Sequence, residues 1–227
     1  MATYTSDPAQ LHRWNTRFSA DGYLFGTEPN AFLAAQRSRL KPGMRALCIA
    51  DGDGRNSVFL ARQGLEVTAF DFSPVAVEKA KRLARDAGVN VDYRQSDILA
   101  WQWEPSRYDV IAAIFFQFLD PAQRAKVFSG LEASLAPGGL LLLQGYRPEQ
   151  IANATGGPKD EENMYTEALL RESFRDLEII HLASHDEVLT EGTAHRGISA
   201  LIDLVARRSG ADDERAGNLD PAHSPTG

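Results

Sequence analysis

Arg45-Ala46-Leu47-Cys48-Ile49-Ala50-Asp51-Gly52-Asp53-Gly54-Arg55-Asn56-Ser57 is an apolar run that breaks into a glycine-punctuated loop and then resumes with helical periodicity at Val58, Leu60 and Ala61. The run from Ala46 to Ala50 has no polar alternation, the pattern of a parallel strand buried on both faces. Gly52 and Gly54 permit a sharp turn, and without Cβ atoms they let a ligand lie against the backbone. The helix that follows would aim its N-terminal amides at that ligand. Glycine turns of this kind also serve as plain connections, so the residues beyond the loop decide between the two roles. Leu65–Asp71 reads as a second strand that ends in a carboxylate 19 residues after Gly52 (71 − 52 = 19). That is close to the roughly 20-residue spacing at which a ribose-binding acid follows a nucleotide loop. Asp71 also precedes Ser73-Pro74, a helix start, and a capping role alone would account for it.

Charge distinguishes between nucleotide-like ligands. A dinucleotide would bring a pyrophosphate dianion to a loop carrying Asp51 and Asp53, whose carboxylates repel it. S-adenosylmethionine brings an ammonium and a sulfonium, which an acidic loop attracts. Ser57 also stands where the dinucleotide pattern closes on Gly or Ala.

The 227 residues fit one α/β domain over positions 1–208, with a tail from 209 to 227 whose Gly, Asp, Asn and Pro content reads as disordered. A net charge of -7 without a Lys/Arg cluster gives no footprint for nucleic acid or anionic membrane, so a small-molecule substrate is expected. Cys48 is the only cysteine and lies in a buried run, which makes it a core thiol. The polar start is no signal peptide and no apolar run is long enough to span a bilayer, so the cytoplasm is expected. Nothing in the sequence sets the oligomeric state.

Positions 1–40 form an aromatic-rich arm with Trp14, Phe18, Tyr23 and Phe25. It either packs against neighbouring helices or covers the ligand as a lid. Beyond Asp71, Ser73-Pro74 starts a helix with Val77, Ala80, Leu83 and Ala84 on one stripe. The alternation Val89, Val91, Tyr93 gives a third strand running out at Ser96-Asp97-Ile98. Tyr108–Phe116 is a central strand, Asp120-Pro121 caps a helix, and Pro137-Gly138-Gly139 ends it before a fifth strand at Leu140–Leu143. Gly145–Asn163 is a long loop, Thr166–Phe174 a short helix, and segments 179–182 and 198–205 two last strands joined through a loop from Asp186 to Arg196. Strand and helix alternate, which predicts a doubly wound, mostly parallel seven-stranded sheet with an antiparallel last strand.

With an acid ending strand two, Ser96-Asp97 ending strand three and Leu135-Ala136-Pro137-Gly138-Gly139 before strand five, the chain resembles the class I S-adenosylmethionine-dependent methyltransferases from Trp14 to about Arg208. The run Gly54-Arg55-Asn56-Ser57-Val58-Phe59-Leu60-Ala61 with Val67–Asp71 resembles the tellurite-resistance methyltransferases and, more distantly, the thiopurine methyltransferases. The resemblance implies cofactor contacts at Ala50, Gly52 and Gly54, ribose contact at Asp71 and adenine contact at Asp97 and Ile98. Asn56, Phe72, Ser73 and Phe115 complete the candidate set, and no metal ligands are assigned. The glycine that usually opens this loop is Ala50, and the acid usual within the first strand is Cys48. Asp51 is therefore expected to meet the methionine ammonium.

The activity implied is methyl transfer to a small molecule, with a thiol or a chalcogen oxyanion such as tellurite as a fitting soft acceptor. An NAD-dependent oxidoreductase and a non-catalytic S-adenosylmethionine-binding protein are the alternatives. The ends of strands four and five should border the acceptor, which nominates Gln117 and Tyr146, with His195 and Arg196 over the mouth and His195 as a base.

Overall fold

The computed structural model describes residues 8–210 apart from the side chain of His195. Residues 1–7 of the arm and 211–227 of the expected tail lie outside the described residues. Strands β1 (Arg45–Cys48), β2 (Glu66–Asp71), β3 (Asp92–Gln95), β4 (Tyr108–Ile114), β5 (Leu135–Tyr146), β6 (Glu178–Glu191) and β7 (His195–Arg207) form one sheet in the order β3-β2-β1-β4-β5-β7-β6. The first five are parallel, and β7 runs antiparallel to both of its neighbours. Around the sheet lie α1 (Pro8–Phe18), α2 (Ala31–Ala35), α3 (Arg55–Arg62), α4 (Pro74–Asp86), α5 (Pro121–Ser134), α6 (Gln150–Asn153) and α7 (Glu167–Ser173).

The unalternated apolar runs of β1, β4 and β5 arise because both faces of these strands are buried. Leu47, Ile111 and Leu141 face one core with Phe128 and Leu131 of α5 and Leu170 of α7. Ala46, Val110 and Leu142, one residue out of phase, face the other with Leu33 of α2 and Leu60 of α3. The helix starts are set by chemistry that the sequence displays. Ser73 accepts from the Ala76 N–H with Pro74 at the first helical position, and Asp120 with Gln123 forms a reciprocal capping box. Cys48 is buried in the second core, and burial pushes its thiol well up.

The last hairpin departs from expectation. Asp186–Arg196 is not a loop: β6 continues to Glu191 and β7 starts at His195, leaving a turn at 192–194. Only Leu201–Arg207 of β7 pairs with β5. Beyond that the two strands pair with each other, Val188 and Ile198 are exposed, and of the described side chains in 186–196 only Leu189 turns inward, against Tyr146 and Leu201. Segment 145–163 is likewise more ordered than a plain loop, since Gly145 and Tyr146 finish β5 and α6 follows.

The chain order reverses at β1, which has β2 on one side and β4 on the other, and a crevice opens there outside the strands' carboxyl ends. Gly54 shapes it. At φ 98° it precedes α3, and a Cβ added to it would meet Ala80 Cα of α4 at 2.7 Å. Gly54→Ala should therefore destabilise the fold by about 2–4 kcal/mol through backbone strain and overpacking. Chemical denaturation would show this as a lower midpoint; an unchanged midpoint would mean that α4 yields without cost.

Candidate functional site

The carboxyl ends of β1, β2 and β4 border a cleft of about 650 Å³. Ala50, Asp51 and Gly52 reach it from the loop after β1, Asn56 from the first turn of α3, Asp71 and Phe72 from the end of β2, and Phe115 from the end of β4. Two of these wall residues are held in left-handed backbone without being glycine, Ala50 at φ 46° and Phe115 at φ 54°. Such conformations cost on the order of 1 kcal/mol and collect where a site over-determines the backbone.

Asp71 ties the wall together. One carboxylate oxygen accepts the Gly52 N–H at 2.9 Å and the other the Ser73 N–H at 2.9 Å, so the loop after β1 and the start of α4 hang on one side chain. Asp51 turns its carboxylate to the first turn of α3, where both oxygens accept from Ser57, one from the N–H at 3.2 Å and one from the hydroxyl. Tyr93 stands 2.9 Å from that hydroxyl. Burial is the main cause that raises Asp51 to about 7 and Asp71 to about 6, and the neighbouring acids add to it. A wall whose carboxylates resist ionisation for want of a counter-charge suits a cationic ligand and not a pyrophosphate.

Three expected cofactor residues lie elsewhere. Ser73 caps α4 and donates its hydroxyl to Asn15 at 2.6 Å. Asp97 accepts the Leu99 N–H at 2.9 Å, and Ile98 packs into the core with Phe70 and Trp101. Neither Asp97 nor Ile98 lines the cleft. Gly54 contributes shape through its contact with α4.

The arm forms the roof, with Trp14, Phe18 and Phe25 in the cleft lining. It is pinned by the cofactor-side elements: the Leu24 N–H donates to Asp53 at 2.7 Å, the Asn30 N–H to Asn56 at 3.0 Å, and Lys79 to the Gly22 carbonyl at 2.6 Å. The hairpin tip closes on the same arm. The Thr193 N–H donates to the Leu24 carbonyl at 3.0 Å, and Glu191 accepts from Arg55 at 2.8 Å and from Asn30 at 3.3 Å.

A second cleft, about 1160 Å³, shares the wall of Trp14, Phe25, Phe115 and Phe118 with the first. Gln117 and Tyr146 line it as expected. The Gln117 amide, however, donates to the Tyr146 carbonyl at 2.8 Å and accepts the Tyr146 N–H, so it braces β5 and does not offer a loose polar group. Tyr146 lies against Phe115 at a 33° tilt with ring centres 4.8 Å apart, and burial pushes its phenol up. His195 opens β7 and its side chain lies outside the described residues. Arg196 donates to the Gly192 carbonyl at 2.8 Å and stabilises the turn, not a mouth. Phe118, Arg13, Arg17 and Lys159 also line this cleft, and sequence reasoning missed them. The two arginines of α1 were signalled only by an i,i+4 pair of like charges, which weakens an isolated helix.

In the unfolded chain Asp51 and Asp71 ionise near 4, so between about pH 4 and 7 the folded chain holds more protons than the unfolded one. Their burial therefore costs stability as pH rises through that window. The melting temperature of Asp51→Asn minus that of the parent, both ligand-free, should grow between pH 5 and 7.5. A difference that stays flat would show that Asp51 ionises normally.

Residues 46–139 match the methyltransferase domain family. A ubiquinone biosynthesis O-methyltransferase of Methylocella silvestris is 35% identical over 101 residues, which are 44% of this chain and only 38% of that relative. Among solved structures, TehB from Haemophilus influenzae has a TM-score of 0.65 at 19% identity, covering 79% of this chain and 62% of that one. The N-methyltransferase NodS from Bradyrhizobium japonicum, in complex with S-adenosyl-L-homocysteine, has a TM-score of 0.64 at 15% identity, covering 87% and 97%. Residues 46–139 thus match a methyltransferase domain, and the chain as a whole shares the fold of these solved methyltransferases.

Proposed function

We propose that this protein transfers the methyl group of S-adenosylmethionine to a small-molecule acceptor. The observation that carries the proposal is the pair of clefts divided by one aromatic wall, acidic and loop-bounded on one side, bordered by Tyr146 and Gln117 on the other. Asp71 accepts the ribose hydroxyls, Asp51 is the acid nearest the methionine ammonium, Ala50, Gly52 and Asn56 border the chain between them, and Phe72 lies against the adenine. The arm, residues up to about 40, acts as the lid over a single domain that runs to about Arg208.

Bound here, the cofactor supplies an electrophilic methyl group on a sulfonium. The chain's own contribution is position and dryness. Phe115, strained at the end of β4, and Tyr146, fixed by the Gln117 brace, set the direction from which an acceptor approaches. In-line transfer needs alignment more than proton movement, and Trp14, Phe25 and Phe118 keep water out of the path. A soft acceptor, a thiolate or a reduced chalcogen oxyanion such as tellurite, reacts on these terms without a base. A phenol-type oxygen would need one, and His195 is the side chain proposed for it. The methyltransferase domain match favours this activity over nicotinamide-dependent oxidation.

Hydrogen bonds to a charged group are worth roughly 1.5–3 kcal/mol, so Asp71→Ala should weaken S-adenosylhomocysteine by about tenfold or more in calorimetric titration. Affinity of the parent protein should also rise from pH 5.5 to 7.5 as Asp71 and Asp51 ionise, with net proton release on binding below pH 7. Undiminished affinity in Asp71→Ala would refute the ribose assignment. Methyl transfer from radiolabelled S-adenosylmethionine across thiols, chalcogen oxyanions, phenols and amines then identifies the acceptor class.

A further inference from the structure

The second cleft is basic in an acidic chain. Arg13, Arg17 and Lys159 stand on its wall against Asp160, while the whole protein carries a net charge of -7. Among the described residues none of the three cations has an ion pair, although acids elsewhere on the surface are widely paired. Arg13 and Arg17 are four residues apart on α1, where like charges repel. Arg17 is half-buried and lies 4.5 Å from the centre of the Trp14 ring, in the wall common to both clefts. Burial and the nearby Arg13 both push the Arg17 guanidinium below its ordinary value, so the pair lacks a counter-charge. The first cleft differs: its one basic wall residue, Arg55, is already joined to Glu191 at 2.8 Å.

We infer that the second cleft is a carboxylate receptor, with the Arg13–Arg17 face of α1 as its fork and Lys159 as a further cation on its wall. Guanidinium groups grip a carboxylate through paired N–H donors, and a planar apolar body behind it lies on the Phe115 and Tyr146 rings. Two molecules can bring the carboxylate, namely the acceptor, which occupies this cleft, and the amino-acid end of the cofactor, which reaches it past Trp14. The choice between these ligands rests on the methyl-transfer reading; the receptor itself does not. If the acceptor brings it, the substrate class narrows to small aromatic or apolar acids bearing the nucleophile.

The test uses the intact protein, with and without saturating S-adenosylhomocysteine. Calorimetry with 4-mercaptobenzoate and 4-mercaptobenzamide compares a carboxylate with its neutral match, and S-adenosylhomocysteine with 5′-methylthioadenosine compares a cofactor arm present with one absent. An acid preference of about tenfold or more that disappears in Arg13→Gln and Arg17→Gln supports the receptor and assigns it to the acceptor. A loss of about tenfold for S-adenosylhomocysteine in Arg17→Gln, with 5′-methylthioadenosine unchanged, supports the receptor and assigns it to the cofactor. Indifference of both variants to all four ligands overturns it, the exposed Arg13 being replaceable without risk to folding. Failure of both adenosine ligands to bind while the acid preference persists would count against the methyl-transfer reading and leave the receptor standing.

Discussion

The ion pair between Arg55 and Glu191 joins residues 136 positions apart, and both side chains are nearly buried, at 5% and 12% exposure. Arg55 is the first residue of the helix after the glycine loop; Glu191 is the last residue of β6. Between them lies the arm, whose Phe25 carbonyl and Asn30 amide complete the same cluster. Desolvating two charges is costly, and an apolar replacement of equal volume would often be no less stable. The pair provides registry: a loop, an arm and a hairpin tip that share no strand pairing are held at one point, and both clefts take their shape from that point.

Asn30 shows how the registry spreads. Its side chain caps α2 through the Leu33 N–H and donates to Gln144 at 2.6 Å, while Gln144 donates to Asp203 at 2.7 Å, which in turn meets His185 at 3.0 Å. A polar chain thus crosses from the arm to β6. Buried networks of this kind rigidify only when their members are satisfied, and here each named member has its partner.

Most of the fold was legible because its signals are local. Caps at Ser73, Asp120 and Thr166 and the apolar runs of β1 and β4 announce themselves within a few residues. The loop-to-acid spacing likewise led to Asp71, which does bind Gly52. The features that escaped depend on side-chain contacts that a local pattern does not display. The outer hairpin buries one apolar side chain from 186–196, Leu189, too little to mark the segment as strand. Asp97 and Ile98 were read by position on a strand end, and neither lines the cleft. Asp51 was read by its charge alone, and Ser57, six residues on, captured it. Arg13 and Arg17 were unremarkable as sequence, since their meaning depends on a wall assembled from β4, β5 and the segment around Lys159.

The seam between hairpin tip and arm is made of main chain. The Thr193 N–H meets the Leu24 carbonyl, and a Cβ on Gly192 would lie 2.4 Å from that same oxygen. A backbone seam is indifferent to most side chains but sensitive to spacing. Adding or removing one residue in the 192–194 turn would offset every donor from its acceptor and flip the faces of the free strands beyond. The geometry therefore constrains the length of this turn and the absence of a side chain at position 192, which together set the frame of the entrance.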